Sequence, residues 1–167
     1  MKTLGLLALS LLSFACIDDD DDGNIVATPP VDDIGDTGDD DDTPPAVLEW
    51  QATLISTDVF QWQLTGFARV LQTVGNTAFT ASISIRNDLP GTARPWHVHF
   101  GSCATGGDIV GEDAAYPRLS VDTGGASTGV VTIRDIALDP AALYHVNVHQ
   151  SNAQLGTLIA CGDLILQ

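Results

Sequence analysis

Apolar and polar residues alternate one by one along most of the chain after residue 45. In "FTASISI", residues 79–85, apolar residues occupy every second position and Thr or Ser the positions between. The runs "VLEWQATLI", "GVVTIRDIAL" and "LYHVNVHQ" repeat this period of two, which is typical of β-strands with one buried face. No segment of this region shows a sustained apolar period of 3.6 residues. The pattern therefore predicts an all-β domain spanning residues 46–167.

Turn-forming sequences such as "VGN", "NDLPG" and "DTGGASTG" separate the alternating runs. They divide the domain into about eight predicted strands, at residues 47–55, 61–73, 77–87, 94–100, 117–122, 128–136, 143–150 and 157–166. This number of short antiparallel strands suits a Greek-key β-barrel or sandwich of one domain.

Two histidines stand one residue apart on a predicted strand. In "RPWHVHFG" the alternation places Trp96, Val98 and Phe100 toward the core. His97 and His99 are therefore expected to point outward together. Two positions along a strand span about 6.6–6.8 Å, so the two imidazoles can converge on one metal ion.

The other two histidines lie in "LYHVNVHQ", where His145, Asn147 and His149 are expected on one outward face. His145 and His149 would be about 13 Å apart along the strand, too far to share a metal ion. We expect His145 to be a solvated or hydrogen-bonded strand histidine. Since His-x-His also occurs on solvated strands, the spacing alone leaves both a metal site and its absence open.

Residues 1–15 have the features of an export signal peptide. Lys2 precedes the apolar run "LGLLALSLLSFA", which is too short to cross a bilayer, and the run ends at Ala15 before Cys16. This junction resembles that of bacterial lipoprotein precursors. The resemblance implies that Cys16 carries the lipid and anchors the protein to a membrane of the bacterial cell envelope, facing the periplasm or the cell surface. The alternative is ordinary secretion with cleavage nearby.

Residues 16–45 are predicted to be a disordered linker. The stretch 17–45 contains 12 aspartates, four prolines and no basic residue, whereas residues 46–167 hold 10 acidic residues and 5 arginines. Such a self-repelling segment with few large apolar residues is expected to stay extended. A net charge of −16 without a basic cluster argues against nucleic-acid binding. The sequence does not indicate an oligomeric state.

The chain has three cysteines, an odd number for an exported protein. With Cys16 assigned to the lipid, Cys103 and Cys161 remain. These two are expected to form one disulfide in an oxidising compartment, the alternative being two free thiols.

Several of these stretches together resemble copper/zinc superoxide dismutases. "SISIRNDLPGTARPWHVHFGSC" is similar to the part of that family that runs from a barrel strand through the His-x-His copper motif. "STGVVTI", "YHVNVHQ" and "LIACGDLIL" follow in the family's order, so the resemblance covers residues 46–167. It implies a superoxide dismutase-like Greek-key barrel in which His97, His99 and His149 bind copper. It also implies a disulfide between Cys103 and Cys161, and superoxide as the substrate.

The sequence departs from this family at the zinc site. The family's bridging and zinc-binding histidines would lie between Cys103 and Val121, and that stretch contains no histidine. We therefore expect no zinc at the family's zinc site, and an enzyme would be a copper-only superoxide dismutase. The fourth copper ligand would be water, Asn147, Asp108 or Glu112.

The family's arginine that guides superoxide, three residues before the last cysteine, corresponds here to Leu158. Losing a positive guide on an acidic domain works against attraction of an anion. Arg94 and Arg118 are candidate replacements, but nothing in their spacing places either near the copper ligands.

The "VNVH" run is also similar to the small CHRD domains. This second resemblance implies a different class of function. The alternative is thus a non-catalytic structural or adhesion β-domain whose histidines are remnants.

Overall fold

The computed structural model describes residues 43–167. The predicted signal peptide at residues 1–15, the predicted lipidation site Cys16 and linker residues 16–42 lie outside the described residues. In the part of the chain that is described, no helix is both long and apolar enough to cross a membrane.

Residues 43–167 form an all-β domain of nine strands and one short 3-10 helix. The strands are β1 (Val47–Ser56), β2 (Thr65–Thr73), β3 (Ala78–Arg86), β4 (Ala93–Arg94), β5 (Trp96–Phe100), β6 (Leu119–Ser120), β7 (Ser127–Arg134), β8 (Tyr144–Ser151) and β9 (Gln154–Leu166), and the 3-10 helix is Asp113–Ala115.

Seven of the strands form one curled antiparallel sheet in the order β5-β8-β9-β1-β2-β3-β7, and β4 pairs with β6 in a small second sheet. Strands β1, β2 and β3 follow one another as hairpins, and β9 returns from the end of the chain to lie beside β1. This is a Greek-key type of connection. The described domain is therefore a β-barrel or sandwich, as the alternation predicts.

The concave side of the curled sheet holds the apolar core. Trp50, Leu54, Val70, Phe79 and Trp96 are among its fully buried side chains. Along β3 every second residue is buried, because successive side chains of a strand point to opposite faces of the sheet.

Several predicted strands differ from the observed ones, and the last of them begins at Gln154 rather than at residue 157. The strand predicted at residues 94–100 is divided at Pro95, which lacks the N–H needed to continue the ladder, so the domain has nine strands rather than eight. The predicted strand 61–73 begins only at Thr65, because a turn closed by the Trp62 N–H bond to the Asp58 carbonyl precedes it. The predicted strand 117–122 shrinks to the two residues of β6.

The long connection between β5 and β6, residues 101–118, determines the surroundings of the histidines. It doubles back along β5, where the Phe100 N–H donates to the Asp108 carbonyl and the Val110 N–H donates to the Val98 carbonyl. Near its start, Cys103 forms a disulfide with Cys161 of β9, with 5.9 Å between the Cα atoms. The connection is therefore tied to both β5 and β9.

Candidate metal centre

The adjacent strands β5 and β8 bring all four histidines together. In the pairing register His97 lies opposite Asn147 and His99 lies opposite His145. The His149 N–H donates to the carbonyl of Pro95, just before β5 begins. The polar positions of the two strands thus form one continuous patch.

The face of β5 that carries His97 and His99 is buried, which the alternation of this strand does not predict. His97 is 1% exposed, His99 7% and His149 5%, and His145 is fully buried as well. Val98 is buried in the apolar core, as expected, but Phe100 is 44% exposed instead of facing the core. The 101–118 connection contacts ring nitrogens of His97 and His99, and Leu155 of β9 contacts His149; the alternation of a single strand cannot reveal these contacts.

Three of the four histidines converge. His97, His99 and His149 each offer one ring nitrogen within 4.8 Å of the others, a spacing that can hold a metal ion. His97 Nδ1 and His149 Nε2 are 3.1 Å apart. Two nitrogens bound tetrahedrally to one ion at about 2.0–2.1 Å would be separated by roughly 3.3 Å. The observed spacing is close to the one that a shared ion requires.

An oxygen atom holds the other nitrogen of each of these rings. His97 Nε2 contacts Asp113 Oδ1 at 2.5 Å. His99 Nδ1 contacts the Gly107 carbonyl at 2.9 Å, and His149 Nδ1 contacts the Leu155 carbonyl at 2.5 Å. Metal-binding histidines in proteins usually donate their second N–H to such a carboxylate or carbonyl, which fixes the orientation of the ring.

These oxygens also determine where the ring protons lie. Carbonyls only accept hydrogen bonds, and so does an ionised carboxylate. Burial acts to raise the pKa of Asp113, but the hydrogen bond from His97 and the charge of Arg118 lower it overall. Each ring therefore carries its proton on the nitrogen that contacts an oxygen, called here the outer nitrogen. The other nitrogen of each ring, the inner nitrogen, presents a lone pair; the inner nitrogens are His97 Nδ1, His99 Nε2 and His149 Nε2.

The inner nitrogens have no donor among themselves. His97 Nδ1 and His149 Nε2 face one another as two acceptors, and His99 Nε2 is buried without any hydrogen-bond partner. Unsatisfied buried acceptors and opposed lone pairs cost free energy. A cation placed between the three nitrogens removes both costs.

Burial keeps these histidines neutral at pH 7. Desolvation on burial is the main cause that lowers the pKa of His97 to about 4, and it also lowers the pKa of His99 and His149. A histidine must be unprotonated on the coordinating nitrogen to bind a metal. The coordinating nitrogens of the three rings are thus already unprotonated before an ion binds.

His145 stands apart from the three, as its spacing predicts. Its ring stacks on that of His99 with 5.2 Å between the centroids, and it does not belong to the group of converging nitrogens. The expectation that it is solvated is wrong, because it is buried and its Nδ1 has no hydrogen-bond partner.

The structure also places the other residues considered from the sequence. Neither Asp108 nor Glu112 belongs to the group of ligand atoms. Asn147 lies opposite His97, and its buried Oδ1 has no partner. Leu158 is paired with His149, so an apolar side chain stands beside this ligand.

Sequence reasoning missed the residues that orient the rings. Gly107 and Asp113 lie in the connection between β5 and β6, and Leu155 lies at the start of β9. No apolar period at these positions indicates which way a side chain or carbonyl points. It also left Arg118 unplaced, whereas the structure puts its Nη1 3.6 Å from Asp113 Oδ1. The only signal in the sequence is the cluster of acidic residues in "GEDAAYPR".

No family model matches the chain, and no curated protein matches it either.

Proposed function

We propose that this domain binds one copper ion through His97, His99 and His149. The observation that carries the proposal is the convergence of three inner nitrogens whose outer nitrogens are each held by an oxygen. Imidazole suits both copper and zinc, and affinity among the divalent ions rises to copper. A bound copper ion would supply one-electron redox chemistry at this position.

The activity we propose for the copper-loaded site is superoxide dismutation. It rests on the resemblance of residues 46–167 to copper/zinc superoxide dismutases, supported by the all-β fold and by the three histidines lying together. Because the stretch between Cys103 and Val121 contains no histidine, the proposed enzyme is a copper-only form without the family's zinc.

A second candidate function, copper storage or a structural copper site without turnover, is favoured by the burial of the ligands. All three histidines are less than a tenth exposed, and Leu158 stands where the family has its guiding arginine. Superoxide would have to reach an ion whose three ligands are almost completely covered.

Copper titration of the metal-free chain tests the binding proposal. We expect one copper per chain in the wild type and none bound tightly in His149→Ala, since that change removes one of three ligands. His145→Gln, a change in the histidine outside the group, serves as the matched control and should bind like the wild type. Wild-type chain that binds no copper, or binds it equally well without His149, would refute the proposal.

A superoxide assay of the loaded chain at low ionic strength then separates the two candidate functions. Turnover that is lost in His149→Ala supports the dismutase. Tight copper binding without turnover supports storage or a structural role.

A further inference from the structure

One ion pair of the domain is buried on both sides and lies outside the candidate metal centre. Arg94 donates from Nε and Nη2 to the two carboxylate oxygens of Asp88, both at 2.7 Å. The side chains of Arg94 and Asp88 are 5% and 2% exposed, whereas the other ion pairs among residues 43–167 each have at least one exposed partner. The ring of Trp62 lies over the pair, with its centroid 5.5 Å from the guanidinium carbon of Arg94.

The stability of the fold does not by itself explain this buried pair. The desolvation of two charges offsets much of their attraction, and well-packed apolar residues of similar volume are often as stabilising. What a guanidinium group adds is a fixed geometry, because its planar fork of donors holds several acceptors in defined directions. The remaining contact of Arg94 therefore indicates what the pair holds in place.

This remaining contact is made to strand β8, next to a metal-binding histidine. Arg94 Nη1 donates to the Gln150 carbonyl at 2.6 Å. At this point β8 leaves the regular ladder: its register with β9 shifts on both sides of His149, and Gln150 is paired with no residue of β9. Arg94 thus takes the place of a ladder contact. Irregularities of this kind often re-aim a side chain beside a functional site.

Residues 94 and 95 together bracket His149. The Pro95 carbonyl accepts from the His149 N–H at 2.9 Å, and Arg94 binds the carbonyl of the residue that follows. The backbone of this ligand is thereby held on both sides, while the Leu155 carbonyl orients its ring. Functional sites require their side chains to lie within about 0.5 Å of the productive geometry, so this hold on the backbone bears on the affinity for the ion.

We propose that Arg94 is a positioning residue of the metal centre. Its hydrogen bond to the Gln150 carbonyl holds the backbone of His149 so that the inner nitrogen of this ring meets those of the other two ligands. Asp88 holds the guanidinium group in the orientation that this contact requires. The inference rests on the proposed copper site and extends it to a buried charge that is neither a ligand nor a group that touches a ligand ring.

A double variant, Asp88→Asn with Arg94→Met, tests the proposal in the full chain. It removes both buried charges together, so that neither is left unpaired in the interior, and it removes the donor to the Gln150 carbonyl. We expect the metal-free variant to fold and its copper(II) dissociation constant to rise by about 10-fold or more. The copper(II) electron paramagnetic resonance spectrum should also change, which the loss of a purely structural ion pair would not cause.

Two further variants complete the design. Arg94→Lys keeps the positive charge and a donor, and should recover part of the affinity that the double variant loses. Glu49→Gln with Arg69→Met removes another arginine–carboxylate pair with two contacts, at 2.6 and 2.7 Å, whose side chains are 25% and 46% exposed. This matched control should leave both copper affinity and the spectrum unchanged.

A folded Asp88/Arg94 double variant with the copper affinity and spectrum of the wild type would show that the pair only stabilises the fold. Equal weakening in the Glu49/Arg69 control would show a general charge effect and would also overturn the proposal. If the Asp88/Arg94 variant does not fold, Arg94→Lys decides, because an affinity and a spectrum identical to those of the wild type would exclude a role for the guanidinium group. Wild-type chain that binds no copper overturns the proposed function, and this inference with it.

Discussion

Asp113 determines which nitrogen of His97 faces the other two histidines. Its carboxylate accepts from Nε2, which leaves Nδ1 turned toward His149 Nε2 at 3.1 Å. A neutral imidazole carries one proton, so the acceptor on one side determines the ligand atom on the other. A residue outside the ligand set is thereby expected to contribute to metal affinity.

Replacing Asp113 by alanine should weaken copper binding by about 10- to 100-fold, the usual cost of losing such a partner of a ligating histidine. A competition titration with a chelator of known copper affinity measures this change. Glu112→Ala, in the adjacent and exposed position, is the matched control and should leave the affinity unchanged. An unaltered affinity in Asp113→Ala would show that the carboxylate does not orient the ring.

The same buried rings make the metal-free protein sensitive to acid. Desolvation lowers the pKa of His97 to about 4 in the folded chain and lowers that of His99 and His149 too, while an unfolded histidine titrates near 6.5. Between about pH 6.5 and 4 the unfolded state therefore binds more protons than the folded state. The free energy of unfolding should fall as pH decreases through this window, by up to about 1.4 kcal/mol per pH unit for each proton.

Urea unfolding of the metal-free chain at pH 7.5, 6 and 5 measures this dependence. His97→Gln, which cannot be protonated, should reduce the slope. A stability that stays constant from pH 7.5 to 5 would contradict the burial of neutral histidines.

At the scale of elements, the 101–118 connection contacts the two histidines of β5, and β9 contacts His149 of β8, so that the site is buried. The period of two in "WHVHF" and "YHVNVH" correctly predicts the strands and the burial of Val98. It could not predict burial of His97, because an alternation records the two faces of a strand and not what covers each face. Gly107 and Asp113 contact the rings from the 101–118 connection. This segment has no periodic pattern of apolar residues, so the sequence pattern does not predict its conformation.

The Cys103–Cys161 disulfide fastens this connection across 58 residues of chain. Replacing both cysteines by serine should lower the free energy of unfolding by about 4 kcal/mol in the chain-entropy account of cross-links. Urea unfolding of the metal-free double variant measures the loss. The reduced wild type provides the comparison and should unfold at the same urea concentration. A double variant as stable as the oxidised wild type would show that the cross-link does not stabilise the fold.

At the scale of the whole molecule, the sequence divides into an acidic segment without a basic residue, 17–45, and the β-domain that follows. We propose that a lipid on Cys16 anchors the chain to a bacterial membrane and that residues 16–45 connect the anchor to the domain. Cys16→Ser should then appear in the soluble fraction, while the wild type sediments with membranes and is released by detergent. Wild-type protein that is soluble and carries no lipid would contradict this proposal.

The most direct measurement of the central claim is a count of the nitrogen ligands around copper in the loaded chain, by X-ray absorption and pulsed electron paramagnetic resonance. The three-histidine site predicts three imidazole nitrogens at about 2.0–2.1 Å from one copper ion, falling to two in His149→Ala. A wild-type copper environment made of oxygen ligands, or a spectrum identical in His149→Ala, would contradict the account.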